Sequence, residues 1–274
     1  IMPIETINFG NFEPDLPDIV IPGTSIAKNC VPHQNSYLPF NSISTDTNAL
    51  TAYCRGAVAY SDQNGFTESY CGDETKLYRL ATTTWSSVGG STYSCADESF
   101  WEFEKFGEQV IATNFDNNIQ LRSFGASGTF ADLGGSPPKA KHIGIVRGFV
   151  VLGNVQSGST HYVNRVQWSG LENPTSWGSV PSTQADFQDL VGDGGRVMAV
   201  LGGDVGIIFQ ERAIYEMEYV GVPTVFRFNN TAVGMGTPAP RSAVRYGNSV
   251  FFYSQDGFMR YDVGGRLTPI GDKK

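Results

Sequence analysis

A short unit of strand, glycine turn and strand recurs along the chain. At five places a glycine opens an apolar stretch: GAVAYS (56–61), GEQVIATN (107–114), GFVVLG (148–153), GDVGIIFQ (203–210) and GNSVFFYS (247–254). Another apolar stretch precedes each glycine: NALTAYCR (48–55), SFWEFEKF (99–106), KHIGIVR (141–147), RVMAVLG (196–202) and RSAVRY (241–246). Self-similarity at a fixed period is the signature of repeat architectures.

Two further landmarks keep the same order in every unit. A third strand carries the markers Tyr78, Leu121, Val166, Tyr215 and Met259, which are 43, 45, 49 and 44 residues apart. A large apolar residue then opens a short outer segment at Trp85, Phe130, Trp177, Phe226 and Leu267. Four strands in about 45 residues is the period of a β-propeller blade.

The sequence therefore predicts an all-β fold, a β-propeller of four-stranded blades. The predicted blades are 47–90, 98–135, 141–181, 195–230 and 241–271. We expect Gly56, Gly107, Gly148, Gly203 and Gly247 to occupy equivalent turns, and DQNG (62–65), FDNN (115–118) and QDG (255–257) to form hairpin turns. Two alternatives remain for the number of blades. Either five blades close into a ring without a swapped strand, or the chain forms part of a ring of six or seven blades. A β-sandwich is the alternative fold.

Composition supports this fold and excludes others. Glycine makes up 32 of 274 residues, aromatic residues 12% and charged residues 17%, against about 25% charged in an average domain. With 40% hydrophobic residues, the chain can bury a core, which argues against disorder. It has no apolar run of about 18 residues, as a membrane helix needs, and its start lacks the pattern of a signal peptide.

The net charge is −8, from 19 basic and 27 acidic residues. Binding to duplex phosphates requires a basic face, and the only basic pair is Lys273–Lys274. We therefore expect duplex DNA to bind no better than non-specifically. A channel with an acidic or neutral surface would let DNA pass without binding it.

Residues 1–46 differ from the repeats that follow. They contain six of the fourteen prolines: Pro3, Pro14, Pro17, Pro22, Pro32 and Pro39. This composition predicts an extended N-terminal arm that has no core of its own and lies against a neighbouring surface. The predicted domains are thus the arm, 1–46, and the propeller, 47–274.

Two segments carry a resemblance to a known family. The arm ending CVPHQNSYLPFNSIS (30–44), and the segment NRVQWSGLENPTSWG (164–178), resemble propeller-type structural proteins of short-tailed bacteriophages. These are the tail hub or nozzle proteins, including the accessory proteins described as stabilising packaged DNA. The chain is shorter than such proteins usually are.

The resemblance implies a structural component of a phage tail: a hub, nozzle or head-to-tail accessory protein of the virion, assembled in the host cytoplasm. It implies an oligomeric ring of copies around the DNA exit path, contacts with other tail or connector proteins, and DNA that passes through without specific binding. It supplies no catalytic residues, cofactor or metal. We expect no enzymatic activity.

A carbohydrate-active propeller, either a lectin or a glycosidase, is the alternative function. Glycosidases use a pair of carboxylates, and the candidates are Glu102, Glu104, Asp204, Glu211, Glu216 and Asp262. The sequence cannot bring any two of them together. Trp168 and Trp177 could stack on sugar rings, but packing between blades is their simpler role.

The remaining candidates favour structural roles. His33, His142 and His161 share no metal-ligand spacing, so we expect no metal site. Cys30, Cys54, Cys71 and Cys95 include no CxxC pair, and free thiols are expected. A Cys54–Cys71 bridge is the one disulfide worth testing.

Overall fold

Five successive four-stranded antiparallel sheets account for residues 56–269. The structure, a computed structural model, describes residues 10–13, 19, 23–33 and 36–271. It divides into two compact units, residues 1–46 with 271–274 and residues 47–270.

The larger unit contains the five sheets, which we call blades one to five. Blade one is β3 (Gly56–Ser61), β4 (Thr67–Gly72), β5 (Leu77–Ala81) and β6 (Thr84–Ser87). Blade two is β7 (Glu102–Phe106), β8 (Gln109–Thr113), β9 (Gln120–Ser123) and β10 (Ala131–Asp132). Blade three is β11 (Lys139–Val146), β12 (Phe149–Ser157), β13 (Thr160–Trp168) and β14 (Asp186–Asp189).

Blade four is β15 (Val197–Leu201), β16 (Val205–Gln210), β17 (Ala213–Gly221) and β18 (Val225–Val233). A 3₁₀ turn, Pro240–Ser242, precedes blade five. Blade five is β19 (Val244–Tyr246), β20 (Ser249–Ser254), β21 (Gly257–Asp262) and β22 (Arg266–Pro269). In every blade the four strands are paired in chain order.

The first strands lie innermost. β3 contacts β7, β7 contacts β11, and β11 contacts β15, while β15 contacts the 3₁₀ turn before β19. This arrangement of consecutive radial sheets is a β-propeller, so the predicted all-β fold is confirmed. Within the described residues every sheet uses only its own consecutive strands. No strand is swapped between blades there.

The predicted glycine turns are correct in four blades and wrong in one. Gly107, Gly148, Gly203 and Gly247 each separate the first strand from the second and have φ between +55° and +142°. Gly56 instead opens β3, where an added Cβ would lie 2.1 Å from the carbonyl oxygen of Trp101. The equivalent turn in blade one is at Gly65, with φ +83°.

Because of this error, the first two strands of blade one were predicted too early in the sequence. NALTAYCR (48–55) is not a strand, GAVAYS is the innermost strand, and the second strand is the polar segment TESYCG. The third-strand markers all lie in third strands. Trp177, however, lies in a loop, because the outer strand of blade three is the polar segment DFQD. Blade three therefore extends to Asp189, beyond its predicted end at 181.

Four buried hydrophobic clusters lie between successive blades. Tyr70 and Trp101 belong to the cluster between blades one and two, and Ile111 and Leu152 to the one between blades two and three. Phe149 of blade three packs with Phe226 of blade four. The fourth cluster joins blades four and five. The stability of the propeller therefore comes from these inter-blade layers.

The smaller unit has little regular structure among its described residues. Strands β1 (Cys30–His33) and β2 (Ser36–Pro39) form a hairpin, and Phe12 and Thr24 form an isolated bridge. Much of the predicted arm, including most of NFEPDLPDIVIP, and the pair Lys273–Lys274 lie outside the described residues. The arm's predicted docking on a neighbour stays a prediction.

All four cysteines are free thiols. The Cys54–Cys71 bridge is therefore not formed. Cys71 and Cys95 are buried, and Cys54 is exposed. Burial, followed by the neighbouring Cys54, raises the pKa of Cys71 to about 12. Its thiol therefore stays protonated and poorly nucleophilic at neutral pH.

Candidate functional site

The innermost strands enclose a cavity of about 260 Å³ on the propeller axis. Each blade, or the turn that leads into it, contributes to its wall: Ala57, Glu104, Ile143, Leu201 and Ala243. A second cavity of about 120 Å³ shares Glu102, Pro240 and Arg241 with the first. Its other lining residues come from loops and strand ends of blades two to five, and include Phe100, Asn114, Phe115, Lys141, His142, Asn154 and Arg196.

Glu102 is held in place by blade three. His142 Nδ1 lies 2.9 Å from Glu102 Oε1, and because a carboxylate can only accept, the imidazole donates. The Ile143 amide donates to Glu102 Oε2 at 3.2 Å. Both partners stand on the first strand of the next blade, so this carboxylate ties two innermost strands together.

Glu104 follows Glu102 by two residues on β7, so the two side chains share one face of the strand. Burial, and then repulsion from Glu102, raise the pKa of Glu104 to about 7. A carboxylic acid that is partly protonated at neutral pH can donate as well as accept a proton. The structure thus brings together two of the predicted carboxylate candidates.

Replacing Glu104 with glutamine should change the pH dependence of stability. The folded pKa of about 7 lies above the ordinary 4.5, so the wild type loses stability as pH rises between these values. We expect Glu104→Gln to remove this loss. At pH 8 its free energy of unfolding should exceed that of the wild type by about 1–3 kcal/mol. Urea unfolding at pH 4.5 and pH 8 measures it.

Glu98→Gln is the matched control, because Glu98 lines the neighbouring cavity but is exposed. Its unfolding free energy should change by less than about 0.5 kcal/mol at both pH values. If the stability of the wild type and that of Glu104→Gln depend equally on pH, the raised pKa of Glu104 would be contradicted.

Cations and aromatic rings surround the smaller cavity. The Arg241 guanidinium stacks 3.1 Å above the Phe100 ring, and Lys141 Nζ lies 5.2 Å from the Phe115 centroid. Arg196 pairs with Glu211 at 2.9 Å. The surroundings of the smaller cavity therefore combine guanidinium, ammonium and carboxylate groups with the faces of two aromatic rings.

His161, for which the sequence predicts only a structural role, contacts two residues of the smaller cavity. Its Nε2 lies 2.5 Å from Asn154 Oδ1, and its ring lies 4.8 Å from the Phe115 ring. Burial, and then the charges of Lys141 and Arg196, lower its pKa. His161 is therefore neutral at neutral pH. No spacing in the sequence relates it to His142.

Of the other carboxylate candidates, Glu211 pairs with Arg196 of the smaller cavity, whereas Asp204, Glu216 and Asp262 line neither cavity. Asp204 is exposed in a turn. Glu216 accepts a hydrogen bond from Tyr261 Oη at 2.7 Å, and Asp262 accepts from Ser249 Oγ at 2.5 Å. Across the residues that the structure describes, no three His, Cys, Asp or Glu side chains form a metal-binding group.

The tryptophans of segment 164–178 pack between blades. Trp168 is 3% exposed, and its ring meets Phe226 edge to face at 5.2 Å. Trp177 packs against the cluster between blades two and three, and its Nε1 donates to Pro174 O at 2.8 Å. These packing contacts explain the positions of both tryptophans, and stacking on a sugar ring is not needed to explain them.

Arg165 of the same segment is anchored on the outer edge of blade three. Its Nε and Nη2 donate to the two carboxylate oxygens of Asp189 at 2.6 and 2.9 Å. The guanidinium lies between the rings of Tyr162, at 3.7 Å, and Phe187, at 3.9 Å. The segment therefore builds the outer part of a blade.

One face of blade five carries exposed apolar side chains beside the Arg260–Asp262 ion pair, since Arg260 is opposite Phe251. We call it the open face, and its exposed apolar residues are Val244, Tyr246, Phe251, Tyr253 and Phe258. Strand pairing places these side chains together, since Val244 is opposite Phe251 and Tyr253 opposite Phe258. No described hydrophobic cluster joins blade five to blade one. Contiguous apolar patches of this kind mark interaction sites.

No helix among the described residues is long and apolar enough to cross a membrane. No protein-family model matches the chain. No curated protein matches it significantly.

The chain is similar in structure to several solved proteins. The extracellular domain of a hybrid two-component system from B. thetaiotaomicron is 8% identical, with a TM-score of 0.56, over 82% of this chain and 28% of that one. The β-propeller domain of Swd1 from Myceliophthora thermophila is 8% identical, with a TM-score of 0.53, over 81% of this chain and 74% of that one.

A protein of unknown function from Desulfotomaculum acetoxidans is 11% identical, with a TM-score of 0.50, over 77% of this chain and 69% of that one. The chain thus spans less than a third of the first of these proteins. At such low identities the likeness concerns the fold alone, and the fold it shows is that of a β-propeller.

Proposed function

We propose that this chain is a structural component of the tail of a short-tailed phage, acting in a ring of copies around the DNA exit path. The observation that carries the proposal is the exposure of apolar side chains in the N-terminal unit. Ile26 is 67% exposed, Phe40 55% and Ile43 90%. None of the described residues of 1–46 belongs to a buried cluster.

Such a segment gains stability only by packing on another surface. Its described regular structure is one hairpin and one bridge, and an isolated two-stranded hairpin is at best marginally stable in water. An arm of this kind is useful in an assembly, where neighbouring subunits supply the missing surface.

The resemblance to tail hub and nozzle proteins supports the phage assignment. Its two segments have structural roles in the folded chain: residues 30–39 include the hairpin, and residues 164–178 build an outer blade edge. Neither role requires a catalytic group. The net charge of −8 fits a channel that DNA passes without being held.

Oligomeric state tests the proposal. We expect the full chain to form a discrete oligomer by size-exclusion chromatography with light scattering. Phe40→Ser combined with Ile43→Ser should weaken that association at least tenfold, because both side chains would lose their apolar contacts.

Tyr53→Ser is the matched control. Tyr53 is 91% exposed but lies in the larger unit, so this variant should assemble as the wild type does. A chain that stays monomeric at all concentrations, alone and with other tail proteins, would refute the proposed function.

A carbohydrate-active role is the second candidate, and the axial pair Glu102 and Glu104 favours it. The raised pKa of Glu104 suits a general acid with a second carboxyl group, that of Glu102, on the same strand. If this role is correct, purified chain should release reducing sugar from bacterial surface polysaccharide, and Glu104→Gln should abolish the release. Wild-type and variant chains that are equally inactive would exclude hydrolysis.

A further inference from the structure

Three basic side chains line the smaller cavity, and each comes from a different blade. Lys141 lies near the start of the first strand of blade three, Arg196 directly precedes the first strand of blade four, and Arg241 lies in the 3₁₀ turn before blade five. The first strands of blades three and four run in the same direction, as the parallel bridge between Val146 and Gly203 shows. The repeat thus brings three cations to one cavity.

Two of these cations have no carboxylate partner. Arg196 pairs with Glu211 at 2.9 Å. Across the residues that the structure describes, by contrast, Lys141 and Arg241 form no ion pair and no side-chain hydrogen bond. Each instead faces an aromatic ring of the cavity wall. Because a ring face takes up none of their N–H groups, the three donors of the ammonium and the five of the guanidinium remain available to a ligand.

The carboxylates in the wall compensate these cations only in part. Glu102 is already bound by His142 and by the Ile143 amide. Glu98 is exposed to solvent. Desolvation lowers the pKa of Arg241, and the charge of Glu102 opposes this shift without cancelling it. The guanidinium therefore lacks a full counter-charge, which a bound anion would supply.

A buried donor without a partner lines the same cavity. Asn114 is 1% exposed, and its Oδ1 accepts hydrogen bonds from the backbone and side-chain nitrogens of Asn117 at 3.0 and 3.2 Å. Its Nδ2 has no hydrogen-bond partner among the described residues, and the neighbouring Cys95 sulfur is a weak acceptor. Leaving a buried donor unpaired costs stability, so an acceptor bound in the cavity would be favoured.

The size of the cavity selects a small ligand. Its volume of about 120 Å³ gives room for several water molecules, whereas sites for drug-sized organic ligands measure about 300–1,000 Å³. The cavity therefore suits a small ion better than a nucleotide or a sugar chain. Phosphate is such an ion, and its oxygens accept strong hydrogen bonds from ammonium, guanidinium and amide groups.

We propose that the smaller cavity binds phosphate, with Lys141 and Arg241 as its cationic contacts and the Asn114 amide as a further donor. The ion would neutralise two positive charges that have no partner in the chain. All the lining residues belong to the larger unit. The site is thus complete in one copy, and the inference does not depend on the proposed assembly.

Calorimetric titration of the full chain with sodium phosphate tests the site. At neutral pH, with the ionic strength held constant by sodium chloride, phosphate should bind saturably at one site per chain. Lys141→Met and Arg241→Met should each raise the dissociation constant at least about tenfold, because each removes charge-assisted hydrogen bonds to the anion.

Arg266→Met is the matched control. Arg266 is exposed and lines neither cavity, so this variant removes the same charge from the chain and should leave the dissociation constant unchanged. Lys141 and Arg241 are exposed as well. All three variants should therefore fold, and their unfolding curves in chloride alone should match that of the wild type.

The pKa of His161 gives a second readout. His161 contacts two residues of the cavity wall, and burial, with the charges of Lys141 and Arg196, lowers its pKa. A nearby anion favours the imidazolium form. Saturating phosphate should therefore raise this pKa in an NMR titration of the wild type, whereas the same phosphate concentration should have little effect in Arg241→Met.

Four results would overturn the phosphate site. The first is the absence of saturable binding. The second is a dissociation constant that rises as much in Arg266→Met as in the two cavity variants, since that indicates diffuse attraction of anions. The third is a His161 pKa that phosphate leaves unchanged. The fourth is acetate binding as tightly as phosphate, which would assign the cavity to carboxylates. None of these measurements requires the chain to be oligomeric, so the proposed assembly stands or fails separately.

Discussion

Truncating Phe149 to alanine should lower the free energy of unfolding by about 3–5 kcal/mol, the usual cost of removing a buried phenylalanine. Phe149 is fully buried between blades three and four. Its ring lies 4.9 Å from that of Phe226 and 5.7 Å from that of Tyr219. The variant leaves a cavity in the layer that holds the two blades together. Urea denaturation measures the loss.

Phe258→Ala is the matched control. It removes the same atoms from the open face, where the side chain is 65% exposed. The free energy of unfolding of the monomer should change by less than about 0.5 kcal/mol. Equal losses in the two variants would show that the open face is covered within one chain.

Replacing Arg122 with methionine should cost about 3–5 kcal/mol, as expected when one partner of a buried ion pair is removed. Arg122 and Glu68 are 3% and 8% exposed. Arg122 Nη1 lies 3.3 Å from Glu68 Oε2 and donates to Tyr70 Oη at 2.5 Å. Without the guanidinium, the buried carboxylate keeps, among the described residues, Arg79 as its one paired cation.

Arg227→Met is the control for this variant. The Arg227–Glu218 pair is closer, at 2.5 Å, but its side chains are 58% and 42% exposed. Exposed ion pairs contribute about 0–1 kcal/mol. A loss for Arg227→Met as large as that for Arg122→Met would contradict the role of burial.

The Glu68 cluster also predicts how stability responds to acid. Burial raises the pKa of Glu68, but the hydrogen bond from Tyr70 and the charges of Arg79 and Arg122 outweigh it, so the net pKa is lowered. A lowered folded pKa gives stability that is present above the unfolded value and is lost as pH falls through the folded one. Glu68→Gln should therefore lose less stability than the wild type when the pH falls below about 4.3.

The periodic landmarks of the sequence predicted most of the propeller. Four glycine turns and all five third-strand markers lie where the repeat placed them. The errors fall on polar strands, TESYCG in blade one and DFQD in blade three. A strand is recognised by several apolar residues, whereas TESYCG offers only Tyr70 and Cys71, both buried, and DFQD offers only Phe187. So few apolar residues give no clear alternation to identify a strand.

The axial site was harder to predict than the fold. Glu102 and Glu104 were among six carboxylate candidates, and His142 and His161 appeared unrelated. Glu102 and His142 are forty residues apart in the chain but 2.9 Å apart in space. Only the packing of blade three beside blade two places their strands side by side, because sequence spacing gives no distance between residues on different sheets.

By itself, then, the sequence determined the fold class and the repeat, because strand alternation and glycine turns are local properties of a few consecutive residues. It also determined that residues 1–46 are unlike the blades, since proline content is a property of composition. The tertiary structure alone decided that Glu102 and Glu104 lie on the axis, with burial raising the pKa of Glu104. It alone decided that, among the described residues, Val244, Tyr246 and Phe258 of blade five stay exposed, because the burial of a face depends on what packs against it.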